Sequence, residues 1–189
     1  MALAFQNVDE AEKIKKANGP VWDFETSRGK PTQLGYGVYT VPAPGEWSNR
    51  RGDWHCLFKI NSKALKDVPK IWIPQWYGKE QTFLWTIPDE VERYVGTVND
   101  DWDVDTSFLM SRIWKMEDKL QLLIPPDLVD DDDMGWEAEC QDSINKLSIR
   151  TQVNYDAWTN NVGGTKDPVV EDSSDSDEED SSGDSDMED

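Results

Sequence analysis

Histidine and cysteine are the residues that this chain has least of: one histidine, His55, and two cysteines, Cys56 and Cys140. So small a set, without a CxxC pair, excludes the usual Cys/His zinc clusters. His55 and Cys56 are neighbours on a predicted strand, where adjacent side chains point to opposite faces, so they do not form a thiol–imidazole pair. We therefore expect no metal site, and we expect both cysteines to be small core residues.

The chain also lacks a long apolar run. No uninterrupted apolar stretch of about 18 residues occurs, and the first sixteen residues lack the apolar centre of a secretion signal. We expect an intracellular protein, cytoplasmic or nuclear, that does not bind membranes and keeps its cysteines reduced. A disulfide between Cys56 and Cys140 would require Cα atoms within about 7 Å.

Basic residues are scarce. Lysine and arginine number 19 against 39 acidic residues, so the formal net charge is −20. This charge disfavours direct binding to nucleic acid and favours basic partners. Residues 171–189 hold 11 acids, six serines and no base, which predicts a disordered tail open to phosphorylation by acidophilic kinases. The tail is either solubilising or a docking arm for basic proteins.

Nucleotide-binding and hydrolase motifs are absent, including GxxxxGK[ST], GxSxG and HExxH. Two acidic series, residues 100–105 and 130–133, lack the spacing of a calcium loop. We interpret both as solvated loops, with weak divalent-cation binding as the alternative.

Ten tryptophans are spread along the chain. Most lie in apolar runs, which indicates core positions. Trp47, Trp76 and Trp102 lie in polar loops and are the exceptions. At those positions a ligand surface for sugars, bases or peptides is the other interpretation.

The apolar patterning predicts an α+β fold with a compact mixed or antiparallel β core and a few short helices. We expect one globular domain over residues 1–159, a linker over 160–170 and the acidic tail over 171–189. Predicted helices end at Asn18 and begin near Asn61 and Pro88. Predicted strands lie at 21–24, 38–41, 53–60, 69–74 (at an edge or a sheet end), 82–87, 120–124 and 136–140. The stretch 107–114 fits either a strand or a helix.

The stretch LGYGVYTVP at residues 34–42 carries a family resemblance. With Trp54 and Cys56, and with VPKIWIP at 68–74, it follows an LGxGxYTTP…WxC…VPKxWIP pattern. It resembles small fungal proteins of the ADP-ribosyltransferase-like fold over roughly residues 20–140.

This resemblance implies an NAD cleft. The implied nicotinamide pocket contains Tyr39 and Thr40. Asp23 occupies the place of a phosphate-holding arginine or histidine, with Arg28 a few residues later. The place of the glutamate that stabilises an oxocarbenium-like state is occupied by Gln121.

The departures from the family pattern leave three hypotheses open. The first is a non-catalytic interaction protein, a pseudoenzyme, on this scaffold that binds no cofactor and uses the tail for basic partners. The second is an active or divergent NAD-dependent transferase that uses Arg28, Tyr39 and Thr40 with Glu117 or Glu46. The third is a tryptophan-rich binding module unrelated to that family.

Overall fold

A computed structural model describes residues 2–27, 29, 32–43, 46, 52, 54–149 and 151–168, with the backbone alone for 2–6, 26 and 117. Arg28 and the tail at 171–189 lie outside the described residues. The helices are α1 (Val8–Ala17), α2 (Phe24–Ser27), α3 (Ser62–Asp67), α4 (Pro88–Val98) and α5 (Pro126–Val129). The strands are β1 (Ala2–Gln6), β2 (Val38–Thr40), β3 (Trp54–Lys59), β4 (Lys70–Trp72), β5 (Trp76–Tyr77), β6 (Thr82–Phe83), β7 (Phe108–Ile113), β8 (Met116–Ile124), β9 (Glu137–Gln141) and β10 (Val162–Gly164).

A five-stranded mixed sheet, in the order β10-β4-β7-β8-β2, forms the centre of the described chain. Strands β10, β4 and β7 pair in parallel, whereas β8 is antiparallel to both β7 and β2. Four strands therefore end at the same side of the sheet, which we call the carboxyl edge. This arrangement confirms the predicted α+β class with a sheet core and short helices.

Both faces of this sheet are buried. One face contributes Trp72, Met110 and Leu122 to a core that also includes residues of α1 and β3. The other face packs against α4. Every residue of β7 is buried, so this strand shows no polar and apolar alternation, which explains why residues 107–114 gave an ambiguous pattern.

A second sheet, in the order β1-β3-β9, is antiparallel throughout. Its register places Cys56 directly opposite Cys140, with Cα atoms 4.0 Å apart, and the two form a disulfide. The prediction of reduced cysteines is therefore wrong, because cross-strand register brings together two residues that lie 84 positions apart. The disulfide also removes the free thiol that a catalytic His55–Cys56 pair would need.

Local signals correctly predicted the end of α1 and the starts of α3 and α4. Asn7 and Asn61 cap α1 and α3 through their side chains, and α1 ends at Asn18 in the left-handed conformation. Pro88 opens α4. The N-terminal helix begins only at Val8, since residues 2–6 form β1. No helix among the described residues is long and apolar enough to cross a membrane.

Four predicted segments differ from the structure. In the predicted strand 82–87, only Thr82 and Phe83 are in a strand. Residues 21–23 are not in a strand, and α2 begins at Phe24 because the Asp23 carboxylate accepts the Glu25 N–H. Strand β4 is internal rather than at an edge, because its flanking prolines lie just outside the paired residues. Within 160–170, predicted as a linker, β10 joins the sheet.

Candidate functional site

The hydroxyl of Tyr39 is bound to the backbone that precedes its own strand. It accepts the Leu34 N–H at 2.8 Å and donates to the Gly35 carbonyl at 2.9 Å. Burial raises the pKa of Tyr39 to about 12, so the phenol stays protonated at neutral pH. A side chain at Gly37 would overlap the Ile124 carbonyl oxygen, so the glycine–tyrosine motif has a structural role in closing this loop.

Thr40 faces the opposite side of β2. It is fully buried, and its hydroxyl donates to the Leu122 carbonyl at 3.1 Å. The Tyr155 hydroxyl lies beside it, and burial raises the pKa of that tyrosine well above its usual range. Tyr39 and Thr40 therefore do not share a surface.

Gln121 is buried in a polar network inside the sheet. Its side-chain amide donates to the Ser111 hydroxyl at 3.1 Å, and Gln33 donates to the same oxygen at 3.1 Å. Ser111 in turn donates to the Arg112 carbonyl. An amide suits this position because it supplies a donor, which an ionised glutamate cannot.

The remaining sequence candidates lie apart from Tyr39 and Gln121. Asp23 is exposed and lies 3.9 Å from the Lys13 ammonium. Glu46, in the loop after β2, accepts the Gln152 amide at 3.4 Å, and burial raises its pKa. The backbone of Glu117 lies at the start of β8. The structure thus brings Tyr39 and Gln121 to one face of the sheet and Thr40 to the other.

A cleft of about 490 Å³ opens elsewhere, between the end of α1 and the loop that follows α5. Trp22 and Trp136 form its aromatic walls, and Asp130, Asp131 and Asp132 lie along its rim. We call this the tryptophan cleft. The described residues that line it include no lysine, arginine or histidine.

Close backbone packing builds this cleft. A side chain on Gly19 would meet the Trp136 Cβ at 3.0 Å, so glycine allows α1 to end against the indole. The Trp136 indole N–H donates to the Leu128 carbonyl at 2.8 Å, which fixes the ring. Asp131 is half-buried and caps the next helical turn by accepting the Asp133 N–H at 2.8 Å.

The electrostatic character of the cleft is negative. Three carboxylates line the cleft beside the carboxyl end of α1, whose last turn carries Lys15 and Lys16. Trp22 continues the aromatic surface outward, because its ring contacts Phe24 at 6.0 Å and Tyr36 at 6.4 Å. Such a site suits a cationic group, which gains both Coulomb and cation–π attraction.

The sequence pattern predicts a solvated loop at 130–133 and strands at Trp22 and Trp136, so it does not indicate this cleft. The available signal was a tryptophan placed directly after four acids, a methionine and a glycine. No group of three or more His, Cys, Asp or Glu residues that could hold a metal ion occurs in the described part of the chain.

Comparison with known proteins identifies a family whose function is unknown. None of the curated proteins and none of the solved structures matches this chain. A family profile matches residues 32–165, the stretch that runs from before β2 to the end of β10. The match includes Trp136 and the acidic rim of the cleft but not Trp22. The chain belongs to DUF5910, a family of unknown function.

Proposed function

We propose that this protein is a non-catalytic binding protein that holds a cationic segment of a partner protein in the tryptophan cleft. The observation that carries the proposal is the cleft itself, with two indole walls and three rim carboxylates. A lysine or arginine side chain fits this chemistry, because its apolar stem can pack on the rings while its charge meets the acids.

The absence of catalysis is part of the proposal. Its support is that Tyr39 and Gln121 already use their polar groups inside the fold. A cofactor would have to displace those hydrogen bonds. The scaffold we propose remains the ADP-ribosyltransferase-like one, supported by the residues of the 34–42 stretch. NAD is a cofactor only under the competing transferase hypothesis.

The acidic tail adds long-range attraction in this proposal. Residues 171–189 carry a formal charge of −11, which would steer a basic partner toward the acidic body. Deleting residues 171–189 should slow the association of a basic partner protein, and it should change the affinity of a short peptide for the cleft less. The contribution of the tail to both quantities should decrease as the salt concentration is raised.

The test is a calorimetric titration of the full chain with a blocked lysine-rich peptide at low salt. The double variant Asp130→Asn/Asp132→Asn should lower the affinity about five- to tenfold, because each exposed ion pair contributes up to about 1 kcal/mol. The control is Asp100→Asn/Asp101→Asn, which removes the same charge from two other exposed aspartates.

Two further arms separate the hypotheses. Trp22→Ala should weaken the peptide by roughly tenfold through lost cation–π attraction and ring packing. Titration with millimolar NAD⁺ should give no heat of binding. If the two double variants lower the affinity equally, the peptide responds to the overall negative charge of the protein and not to the cleft. NAD⁺ binding that Gln121→Ala abolishes would favour the transferase hypothesis.

A further inference from the structure

The disulfide lies close to the tryptophan cleft along the chain. Cys140 follows Trp136, which forms one wall of the cleft, by only one turn of sequence, and it lies in β9. This strand begins at Glu137, directly after the tryptophan. The bond from Cys140 to Cys56 in β3 therefore fixes the strand that continues from one wall of the cleft.

Among the described strands, β9 has a neighbour on one side only. It stands at the end of the order β1-β3-β9, and β3 is the strand that it pairs with. Within β9 only Cys140 is buried, and Glu137 is exposed. A strand that buries so little apolar surface gains little hydrophobic stabilisation of its own, so its position depends on its links to β3.

The disulfide links these strands where the ladder provides no hydrogen bond. In an antiparallel pair, opposed residues alternate between hydrogen-bonded pairs, with Cα atoms about 5.5 Å apart, and non-hydrogen-bonded pairs at about 4.5 Å. The Cα atoms of Cys56 and Cys140 lie 4.0 Å apart, which assigns them to the second kind. The ion pair between Lys59 and Glu137, at 3.9 Å, is exposed and contributes little.

Strand β9 also contacts the other side of the cleft. The Ala138 N–H donates to the side chain of Asn18, the residue that ends α1, at 3.3 Å. Gly19 lies so close to Trp136 that a side chain there would meet the Trp136 Cβ at 3.0 Å. Asn18 and Gly19 line the cleft together with both tryptophans, so a movement of β9 would change the spacing between its walls.

The Trp136 ring itself is held by contacts outside β9 and α1. Its N–H donates to the Leu128 carbonyl at 2.8 Å, and its ring centroid lies 6.3 Å from that of Phe108. If β9 loosens, this ring should stay against the core. The contacts at risk are then those of Asn18 and Gly19, which position the end of α1 against the cleft.

We propose that the disulfide between Cys56 and Cys140 makes binding at the tryptophan cleft dependent on redox conditions. The oxidised protein holds the cleft walls at their binding distance, and the reduced protein does not. This inference rests on the proposed function, because it concerns the regulation of the same cleft. Both cysteines are buried, so the redox conditions act while the chain folds. Disulfides persist in oxidising compartments, and the cleft would bind its cationic partner there.

The experiment compares the full chain in two redox states. Forming the disulfide removes two protons and two electrons from the thiols, and oxidised glutathione takes them up as it is cleaved to two thiols. The oxidised protein is folded with oxidised glutathione. The reduced protein is unfolded in urea with dithiothreitol and refolded in its presence, and thermal melting confirms that it is folded.

Hydrogen exchange measures the coupling without a ligand. The amides of β9 are compared with those of the buried strand β7 in the same sample, because global unfolding exposes both. Reduction should raise the exchange rate of β9 relative to β7 by about tenfold or more. Strand β2 is the control, since it also lies at the end of a sheet, and its rate relative to β7 should not change.

Titration of both forms with the blocked lysine-rich peptide measures the consequence for binding. If about a tenth of the reduced molecules have the cleft correctly spaced, the affinity should fall about tenfold. The double variant Cys56→Ala/Cys140→Ala should bind as weakly as the reduced protein, with or without reductant. It also takes the place of the reduced protein if that form does not refold.

The inference is overturned if reduction leaves the exchange rate of β9 relative to β7 unchanged. It is also overturned if both folded forms bind the peptide with equal affinity, a result that leaves the proposed function in place. If neither form binds the peptide, the proposed function fails, and the exchange rates alone decide whether the disulfide controls the cleft.

Discussion

The disulfide between Cys56 and Cys140 should contribute a large share of the stability of this domain. It closes a loop between residues 84 positions apart. In the chain-entropy treatment, cross-linking a loop of that length destabilises the unfolded state by about 4.5 kcal/mol at 25 °C. Since domains are stable by about 5–15 kcal/mol, reduction should remove about 30% or more of the total.

Urea unfolding of the oxidised and reduced wild-type protein measures this directly. If the unfolding free energy falls by about 2 kcal/mol per molar urea, the urea concentration at the unfolding midpoint should be about 2 M lower for the reduced protein. Both cysteines are buried, at 0% and 3% exposure, so the disulfide must be reduced in the unfolded state before refolding. The comparison keeps both sulfur atoms in place and therefore isolates the cross-link from the packing of the side chains.

The double variant Cys56→Ala/Cys140→Ala is the matched control. Its urea midpoint should not respond to reductant, which separates the cross-link from any other effect of the reagent. A difference below about 0.5 M between oxidised and reduced wild type would refute the reasoning. It would mean that the reduced unfolded chain is already restricted, or that the paired strands are strained when linked.

Three further predictions concern single substitutions. Gln121→Glu should lower the unfolding free energy by about 1–3 kcal/mol in urea at neutral pH, because it removes the donor to Ser111 and buries a carboxylate; an unchanged midpoint would contradict the network. Gly37→Ala should lower the melting temperature by roughly 5 °C or more, because the new Cβ overlaps the Ile124 carbonyl; an alanine at the exposed Gly96 is its control. Burial lowers the pKa of Lys70 from 10.5 to about 8. Between about pH 8 and 10.5 the unfolded state therefore binds more protons than the folded state, so the unfolding free energy should rise with pH in that range. Lys70→Met should remove this rise, and an unchanged rise in the variant would show that other groups cause it.

Helices α1, α3 and α4 were predictable because nearby residues specify where they begin or end. Asn7 and Asn61 each cap a helix through a hydrogen bond to a backbone N–H two or three residues away, and such contacts depend on no other part of the chain. The internal strand β7 was not predictable in the same way. Burial on both faces removes the alternation from which a strand is normally identified.

The candidate sites were predictable only in part. Trp76 was singled out because it lies in a polar loop, and it is indeed exposed. Trp22 and Trp136 were not identified together, because nothing near either residue indicates the other. Their cleft depends on Gly19 meeting Trp136 at the end of α1, which is a contact across most of the domain.

By itself the sequence determined the α+β class, the end of α1, the starts of α3 and α4, and the strong negative charge, because these follow from local hydrogen bonds, periodicity and composition. Only the tertiary structure decided the disulfide, the internal bonding of Tyr39 and Gln121, the tryptophan cleft and the packing of Trp114 against Phe83. Each of these joins residues from separate elements. Strand register and long-range packing decide which side chains meet, and no short stretch of sequence specifies either.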